Sequence, residues 1–193
     1  MDSRSDEQLL RAFGGGEQQA FSLLMRRHSM VVKAYSLRML RNAEQAEEVC
    51  SETFLRLAVH KGRWDERGSF RSWLFTIAHN LCIDRIRRRD VARRAARGVL
   101  ELTLHQQVKP SPEAQAILGE RATMLERAIA ELKEEHRQVI LLRSIHGLSS
   151  REAAKVLDIS PAQVDSQLSY ARKKLKQHLS QLNEKPSRLR SKI

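Results

Sequence analysis

The sequence has 193 residues, of which 41% are apolar and 30% charged, and carries a formal net charge of +12. This balance is typical of a folded, helix-rich chain and argues against a disordered one. No apolar run approaches the roughly 18 residues that a membrane-spanning helix needs, and the N-terminus lacks the basic and apolar regions of a signal peptide, so we expect a cytoplasmic protein without membrane insertion.

The excess positive charge is concentrated in two blocks. Residues 61–97 contain 11 basic and 4 acidic side chains, residues 161–193 contain 8 and 2, and the remaining stretches are close to neutral. Two dense basic blocks separated by a neutral stretch favour two separate contacts with a polyanion. A solvated surface with a loose basic tail is the alternative interpretation.

Apolar residues recur at helical spacing almost throughout, so the predicted fold class is all-α. We expect two small helical domains joined by a flexible linker, the second domain being a helix-turn-helix. The domains are predicted at residues 1–89 and 113–182, with a linker at 90–112 and a basic tail at 183–193. The predicted helices cover residues 5–13, 17–41, 43–60, 69–89, 113–132, 134–146, 149–157 and 161–181.

Three features of the sequence argue against catalysis and bound cofactors. The glycines at 14–16 predict a turn between two helices. They do not predict a phosphate-binding loop, because the strand before it and the Lys-Ser/Thr pair after it are missing. Cys50 and Cys82 lack C-x-x-C spacing, which predicts packed or semi-exposed thiols rather than a disulfide or zinc site. None of the 7 histidines falls in a metal-ligand array. We therefore expect no cofactor, no metal and no enzymatic activity, and a nuclease is disfavoured.

The first basic block overlaps a cluster of aromatic residues. Trp64, Phe70, Trp73 and Phe75 lie within twelve positions of one another. Aromatic rings interleaved with arginines can stack unpaired bases while the cations hold the backbone. Trp64, in a polar loop, is the better candidate for a base contact, and the roles of Trp73 and Phe75 stay open.

The helix predicted over 69–89 combines a core stripe with polar candidates. Ser69 is well placed as its N-cap. Asn80 lies mid-helix, where asparagine is mildly unfavourable unless it is exposed or has a partner, and it could hydrogen-bond a base edge. The arginines of the last turns could bind nucleic acid or serve only to complement the helix dipole. The predicted core stripe is Phe70, Leu74, Ile77 and Leu81.

Two helix starts near the C-terminus predict a helix-turn-helix. Ser149 and Ser160 each begin a capping box, and Pro161 occupies a first helical position. Asp158 can adopt the left-handed conformation that the turn between them needs. In a major groove, the first polar residues of the second helix would face bases and its later cations would face phosphates. A helical hairpin that packs on a protein is the alternative. The buried stripe of this helix is predicted as Val164, Leu168, Ala171, Leu175 and Leu182.

These segments together resemble a known family over nearly the whole chain. Residues 46–57 (AEEVCSETFLRL) resemble the polymerase-binding helix of extracytoplasmic-function (ECF) sigma factors, the minimal two-domain class of the bacterial sigma-70 family. Residues 70–80 (FRSWLFTIAHN), followed by Asp84 and the arginines at 87–89, resemble its promoter-melting segment. The helix-turn-helix follows at the expected distance.

The resemblance implies a dissociable, non-catalytic subunit of bacterial RNA polymerase that recognises −35 and −10 promoter elements and promotes strand opening. The residues implied to bind core polymerase are Glu47, Glu48, Ser51, Glu52 and Arg56. Those implied to bind the single-stranded −10 element are Arg63, Trp64, Arg67, Arg71, Trp73, Asn80, Arg85, Arg87 and Arg88. Those implied to bind the duplex −35 element are Ser149, Arg151, Gln163, Ser166, Gln167, Tyr170, Arg172 and Lys173. The linker would thread towards the polymerase active site, and an anti-sigma factor is an implied partner.

The sequence departs from the family pattern at both interfaces. Ser51 stands where the family usually has glutamine, and the recognition helix (residues 162–172, AQVDSQLSYAR) lacks three usual cations. Asp165 would be repelled by phosphate, but it could accept a hydrogen bond from cytosine or pair with Arg172. We therefore expect an unusual −35 preference. The alternative function is a polymerase-independent helix-turn-helix regulator, which would bind duplex operator tightly by itself.

Overall fold

The structure is a computed structural model that describes residues 3–60, 68–96 and 120–189, and the side chains of all of these except 96, 120–121 and 181–189. Every secondary-structure element in these ranges is helical, which confirms the all-α prediction. The chain divides into two compact units, Met1–Val108 with Lys155–Asp158 and Lys109–Ala154 with Ile159–Ile193. Among the described residues, none of the helices combines the length and apolar content that crossing a bilayer requires.

The first unit is built around a long central helix. The chain forms α1 (Asp6–Gly14), α2 (Gln18–Leu40), α3 (Ala43–Val59) and α4 (Phe70–Ala96). Helix α2 packs against the other three, and α3 also packs against α4. Burial of apolar side chains at these contacts is the main stabilising contribution. The largest fully buried side chains of this unit are Leu9, Leu10, Leu24, Tyr35, Met39, Leu57, Phe70, Leu74 and Phe75.

The start of α4 is fixed by two kinds of cap. Ser69 Oγ accepts from the Ser72 N–H at 3.2 Å, as the sequence predicted. Glu7, from α1, supplies a second acceptor: its Oε1 accepts from the Phe70 N–H at 3.1 Å. Although burial raises the pKa of Glu7, hydrogen bonds from its own N–H, from the Phe70 N–H and from Ser5 bring it below the ordinary value. Glu7 therefore ties α1 to the first turn of α4.

A buried hydrogen bond joins α2 to the middle of α4. Tyr35 Oη and His79 Nδ1 lie 2.9 Å apart, and both side chains are buried. Burial, together with the charge of Arg87, lowers the pKa of His79 to about 4. The imidazole is therefore neutral at pH 7 and acts as a packed hydrogen-bonding group of the core.

The stability of the first unit is expected to fall as the pH drops from 7 towards 4. The unfolded chain protonates His79 near pH 6.5, whereas the folded chain does not until about pH 4. The unfolded state thus binds more protons in this window. Through His79, acidification from pH 7 to pH 4 therefore lowers the free energy of unfolding by about 3 kcal/mol. Both tryptophans, Trp64 and Trp73, precede residue 97, so tryptophan fluorescence during urea unfolding reports on this unit.

The matched variant for this measurement is His79→Gln, which keeps a hydrogen-bonding side chain but cannot titrate. It should lose markedly less stability than the wild type between pH 7 and pH 4.5. His60→Gln, at the C-terminal end of α3, should keep the wild-type pH dependence. Parallel loss of stability in wild type and His79→Gln would contradict the assignment.

Residues 120–189 form α5 (Glu120–Glu131), α6 (Glu134–Ile140), a π-helical turn (Leu141–Ile145), α7 (Ser150–Leu157) and α8 (Pro161–Leu189). All of these belong to the second unit except residues 155–157 of α7. Helix α8 packs against α5 and α6. The sequence predicted one helix over 134–146, but its last turn widens into the π-helix. The buried residues include Ile129, Leu132, Val139, Ile140, Leu141, Leu142, Leu148, Val164, Leu168 and Ala171.

The two capping boxes predicted for the helix-turn-helix are present. The Ser149 N–H donates to Glu152 Oε2 at 2.8 Å, and the Glu152 N–H donates to Ser149 Oγ at 3.2 Å. Ser160 and Gln163 repeat both bonds at 2.8 and 3.2 Å. Asp158 has φ +53, which confirms the left-handed turn residue. Local sequence signals therefore define α7, the turn and the start of α8.

Two predicted helix ends need correction. Helix α4 continues to Ala96, whereas the sequence predicted its end at residue 89. Helix α8 continues to Leu189, whereas the sequence predicted its end at residue 181. The predictions ended each helix where the apolar stripe ended, but arginine, alanine, glutamate and lysine sustain a helix without burial. Residues 97–119, which include the rest of the predicted linker and the predicted helix start at 113, lie outside the described residues.

Candidate polymerase-binding and DNA-binding surfaces

Helix α3 presents an exposed acidic face opposite its buried stripe. Glu47, Glu48 and Ser51 are exposed, and Glu52 is half-buried. Glu47 forms an ion pair with Lys33 of α2. Arg56 Nη2 lies 2.6 Å from Glu52 Oε1 one helical turn away. All five residues predicted for polymerase binding therefore lie on one helix whose other face is anchored in the core.

Two exposed apolar residues on α3 were missed by the sequence prediction. Leu55 is 64% exposed and Val59 is 68% exposed. With Ser51 they recur every four residues, so the three lie along one side of the helix. Large apolar side chains at this level of exposure are candidates for a protein contact. Both residues could have been found by noting that they lie outside the apolar stripe that α3 buries. The residues of this stripe are Ala46, Val49, Cys50, Thr53, Phe54 and Leu57.

Helix α4 carries a row of candidate DNA contacts along one face. Trp73, Asn80 and Arg87 are seven residues apart, a spacing that places side chains on the same side of a helix at intervals of about 10 Å. Trp73 is half-buried, whereas Asn80 and Arg87 are exposed. Arg71 and Arg88, also predicted for DNA, are exposed as well. A partly exposed ring, an amide and a guanidinium thus follow one another along the helix.

The other two aromatic residues of α4 belong to the core. Phe70 is fully buried, as predicted, and its ring centroid lies 5.2 Å from that of His28. Phe75, whose role the sequence left open, is also buried and packs edge-on against Tyr35 at 5.3 Å. Of the predicted core stripe, Ile77 is only half-buried. Phe75 is therefore not available to a base.

The remaining residues predicted for the −10 element fall into two groups. Arg63, Trp64 and Arg67 lie in residues 61–67, outside the described residues. Arg85 is described, but its side chain is only 18% exposed and faces α3. Its surroundings therefore differ from those of the exposed Arg87 and Arg88.

The residues predicted for the −35 element surround the start of α8. Arg151, Ser166 and Lys173 are exposed, whereas Gln167 is half-buried. The other members of the set have partners within the protein. Ser149 and Gln163 serve in the capping boxes described above, which leaves the side-chain NH₂ of Gln163 as a donor.

Tyr170 leans against the preceding helix. Its ring centroid lies 4.5 Å from that of His136 in α6, and Lys174 Nζ lies 5.8 Å from its ring centroid. The side chain is nevertheless 48% exposed. The ring therefore has a supported orientation with one part open to solvent.

Asp165 does not use the partner suggested by the sequence. Its Oδ1 accepts from Ser150 Oγ at 2.5 Å, and Arg172 instead donates to Ser144 Oγ at 3.4 Å. The carboxylate thus lies beside the start of α7. It adds negative charge next to the candidate −35 residues.

The described part of the chain contains no group of three or more histidine, cysteine or carboxylate side chains placed to hold a metal ion. Cys50 and Cys82 are buried, reduced thiols. Burial raises the pKa of Cys82 to about 12 and also raises the pKa of Cys50. Both thiols are therefore protonated and poor nucleophiles at neutral pH.

Two family models match the two units. Sigma-70 region 2 matches residues 24–91, which include α3 and most of α4. Sigma-70 region 4 matches residues 122–175, which include the helix-turn-helix. The candidate surfaces described above all lie within these two matches.

Curated relatives and solved structures agree with these matches. The chain is 30% identical to the ECF RNA polymerase sigma factor SigW of Bacillus subtilis, covering 86% of this chain and 92% of SigW. It is 31% identical to the ECF RNA polymerase sigma factor SigM of Mycobacterium tuberculosis, covering 93% of this chain and 87% of SigM.

The structure of CnrH in complex with the cytosolic domain of CnrY has the same fold, with a TM-score of 0.67, 24% identity and coverage of 91% and 97% of the two chains. RpoE from Bartonella quintana, solved with the anti-sigma factor NepR, also gives a TM-score of 0.67, at 19% identity and coverage of 83% and 96%. With both sigma regions present in order and full-length relatives at 30% identity and above, this chain belongs to the ECF sigma factors of the sigma-70 family.

Proposed function

We propose that this protein is an alternative sigma factor that binds core RNA polymerase, recognises −35 and −10 promoter elements and promotes strand opening, without catalysis of its own. The observation that carries the proposal is the row of Trp73, Asn80 and Arg87 on α4, within the segment that matches Sigma-70 region 2. Such a row can stack a base, bond a base edge and neutralise a phosphate of one unpaired strand. Domain boundaries at 1–89 and 113–182 remain part of this proposal.

If α4 captures a single strand, each of its exposed polar candidates has a specific role. Asn80 would bond a base edge, because its exposed amide offers both a donor and an acceptor. Arg87 and Arg88 would neutralise the backbone, and Arg71 would add charge near the start of the helix. Trp64 with Arg63 and Arg67, in the segment that the sequence predicts to be a loop, would hold a flipped base. Unstacking costs a few kcal/mol, which captured bases offset.

The −35 element would be read by the start of α8 in the major groove. Gln163, Ser166, Gln167 and Tyr170 would reach base edges, where amide and hydroxyl groups supply hydrogen bonds. Ser149, Arg151, Arg172 and Lys173 would contact phosphates and sugar and set the register. The basic side chains of residues 161–193 all follow residue 171, so we assign the charge of this second basic block to affinity rather than to sequence choice.

Core polymerase would bind the exposed face of α3. Glu47, Glu48, Glu52 and Arg56 supply charge, and Ser51 occupies a position where the family usually has glutamine. We add Leu55 and Val59 to this surface because their exposed side chains adjoin it. Apolar residues surrounded by charges are typical of a protein interface.

The proposal implies a cellular setting and a regulatory partner. Core polymerase and promoter DNA are cytoplasmic in bacteria, so we place the protein in the cytoplasm. RpoE of Bartonella quintana was solved with an anti-sigma factor, and we propose a partner of the same kind here.

Run-off transcription with core polymerase on a promoter library tests the function directly. We expect transcripts only when the protein and core are both present, and enrichment of a shared −35 and −10 pair. A premelted −10 region should relieve part of the requirement for the −10 sequence. Tight binding of the isolated protein to duplex DNA, with no binding to core, would instead support a polymerase-independent helix-turn-helix regulator.

A further inference from the structure

Among the described arginines predicted to bind the −10 strand, Arg85 is the least exposed. Its side chain is 18% exposed, and Nη1 lies 3.5 Å from the Leu81 carbonyl oxygen of its own helix. Its Nη2 lies 3.3 Å from Glu52 Oε2 and 3.5 Å from Glu48 Oε2, both on α3. The guanidinium therefore points towards the polymerase-binding helix. Arg87 and Arg88, two and three residues later, are exposed.

The charge around Arg85 makes it a poor phosphate ligand. Two carboxylates already face its single positive charge, so an approaching phosphate would meet a site with no positive excess. It would also have to displace a guanidinium that is packed between two helices. Exposed arginines on the same helix offer the same strand a better contact.

The same geometry gives Arg85 a clear effect on α3. Glu48 and Glu52 are four residues apart, and like charges at this spacing repel each other. Arg85 faces both carboxylates and offsets this repulsion. Glu52 is held on two sides, with Oε1 facing Arg56 at 2.6 Å and Oε2 facing Arg85 at 3.3 Å. The plane of this carboxylate is therefore fixed before any partner arrives.

We infer that Arg85 is a positioning residue of the polymerase-binding face, holding Glu48 and Glu52 in the orientation that core polymerase recognises, and that it does not bind the −10 strand. A preorganised carboxylate loses less side-chain freedom when a polymerase cation binds it. The inference rests on the proposed function, because it assumes that α3 binds core.

The test measures the affinity of the 193-residue chain for core polymerase by competition against labelled wild type. Arg85→Ala should weaken core binding about fivefold, the scale expected when an ordered side chain becomes free. Arg85→Lys keeps the charge but loses the planar fork that can face two carboxylates, and should weaken it about twofold. Arg93→Ala, an exposed arginine on the same helix, should stay at the wild-type value.

A double mutant that lacks both carboxylates separates a positioning role of Arg85 from a general effect of losing its charge. In a chain that already carries Glu48→Gln and Glu52→Gln, adding Arg85→Ala should leave core affinity unchanged, because the groups it positions are gone. Thermal unfolding of each variant is recorded alongside. If Arg85→Ala unfolds the first unit, Arg85→Lys carries the same comparison.

A separate measurement tests DNA binding. It uses holoenzyme at a saturating concentration of the sigma factor and measures affinity for a promoter that is premelted at −10. Arg85→Ala should bind this DNA as the wild type does, whereas Arg87→Ala should bind it more weakly. The inference is overturned if Arg85→Ala keeps or strengthens core affinity, or if it weakens binding to premelted DNA as much as Arg87→Ala does. If wild type itself fails to bind core, the proposed function fails, which is a separate result.

Discussion

Alanine at Gln163, Ser166, Gln167 and Tyr170 together is expected to abolish most discrimination between the preferred −35 element and a scrambled one. Hydrogen bonds to base edges contribute about 1–3 kcal/mol per well-formed pair, so the loss of two such pairs is enough to lower the preference by about a hundredfold. Three of the four side chains are exposed, and Gln167 is half-buried. The loss should lie in promoter choice, because the phosphate contacts and α3 are unchanged.

Competitive transcription from a −35 library, with the −10 element held constant, measures this effect. Gln177→Ala with Ser180→Ala is the matched control, since both residues are exposed on the same helix beyond the predicted base contacts. Gln163 also closes a capping box, so the unfolding midpoint of each variant is compared. Promoter choice unchanged in the quadruple variant would show that these side chains do not read bases.

Asn80→Ala is expected to reduce promoter opening by tenfold or more while core binding stays at the wild-type level. The side chain is exposed midway along the Trp73 and Arg87 row, and one lost base contact corresponds to about 1–3 kcal/mol. Permanganate reactivity of unpaired thymines in the −10 bubble reports opening, and competition for core reports binding. Gln19→Ala removes an exposed amide from α2, outside all proposed surfaces, and should alter neither.

Trp64→Ala is expected, like Asn80→Ala, to reduce promoter opening while core binding stays at the wild-type level. This expectation depends on the sequence alone. A stacked base contributes about 1–3 kcal/mol, so a shortened or absent bubble with intact core binding is the expected result. Wild-type permanganate reactivity in both variants would contradict strand capture by α4 and by the residues that precede it. Reduced core binding in Asn80→Ala would instead assign this residue to the polymerase interface.

Local signals in the sequence were sufficient for most helix starts. Ser69, Ser149 and Ser160 cap helices where predicted, and Asp158 turns the chain with positive φ. These predictions succeed because a cap bonds groups only two or three residues away. Periodicity likewise placed Phe70 in the core. It did not show where α4 ends, because a helix can continue after its buried face stops.

The sequence by itself determined the helical fold, its caps, the two basic blocks and the family to which the chain belongs. Only the tertiary structure decided which of the candidate residues are open to a partner. Glu7 caps a helix 63 residues away, and Arg85 reaches carboxylates 33 and 37 residues earlier. Such pairs depend on how α1, α3 and α4 pack, which no local pattern encodes. Burial and pairing therefore separate Phe75 and Arg85 from Asn80 and Arg87 on one and the same helix.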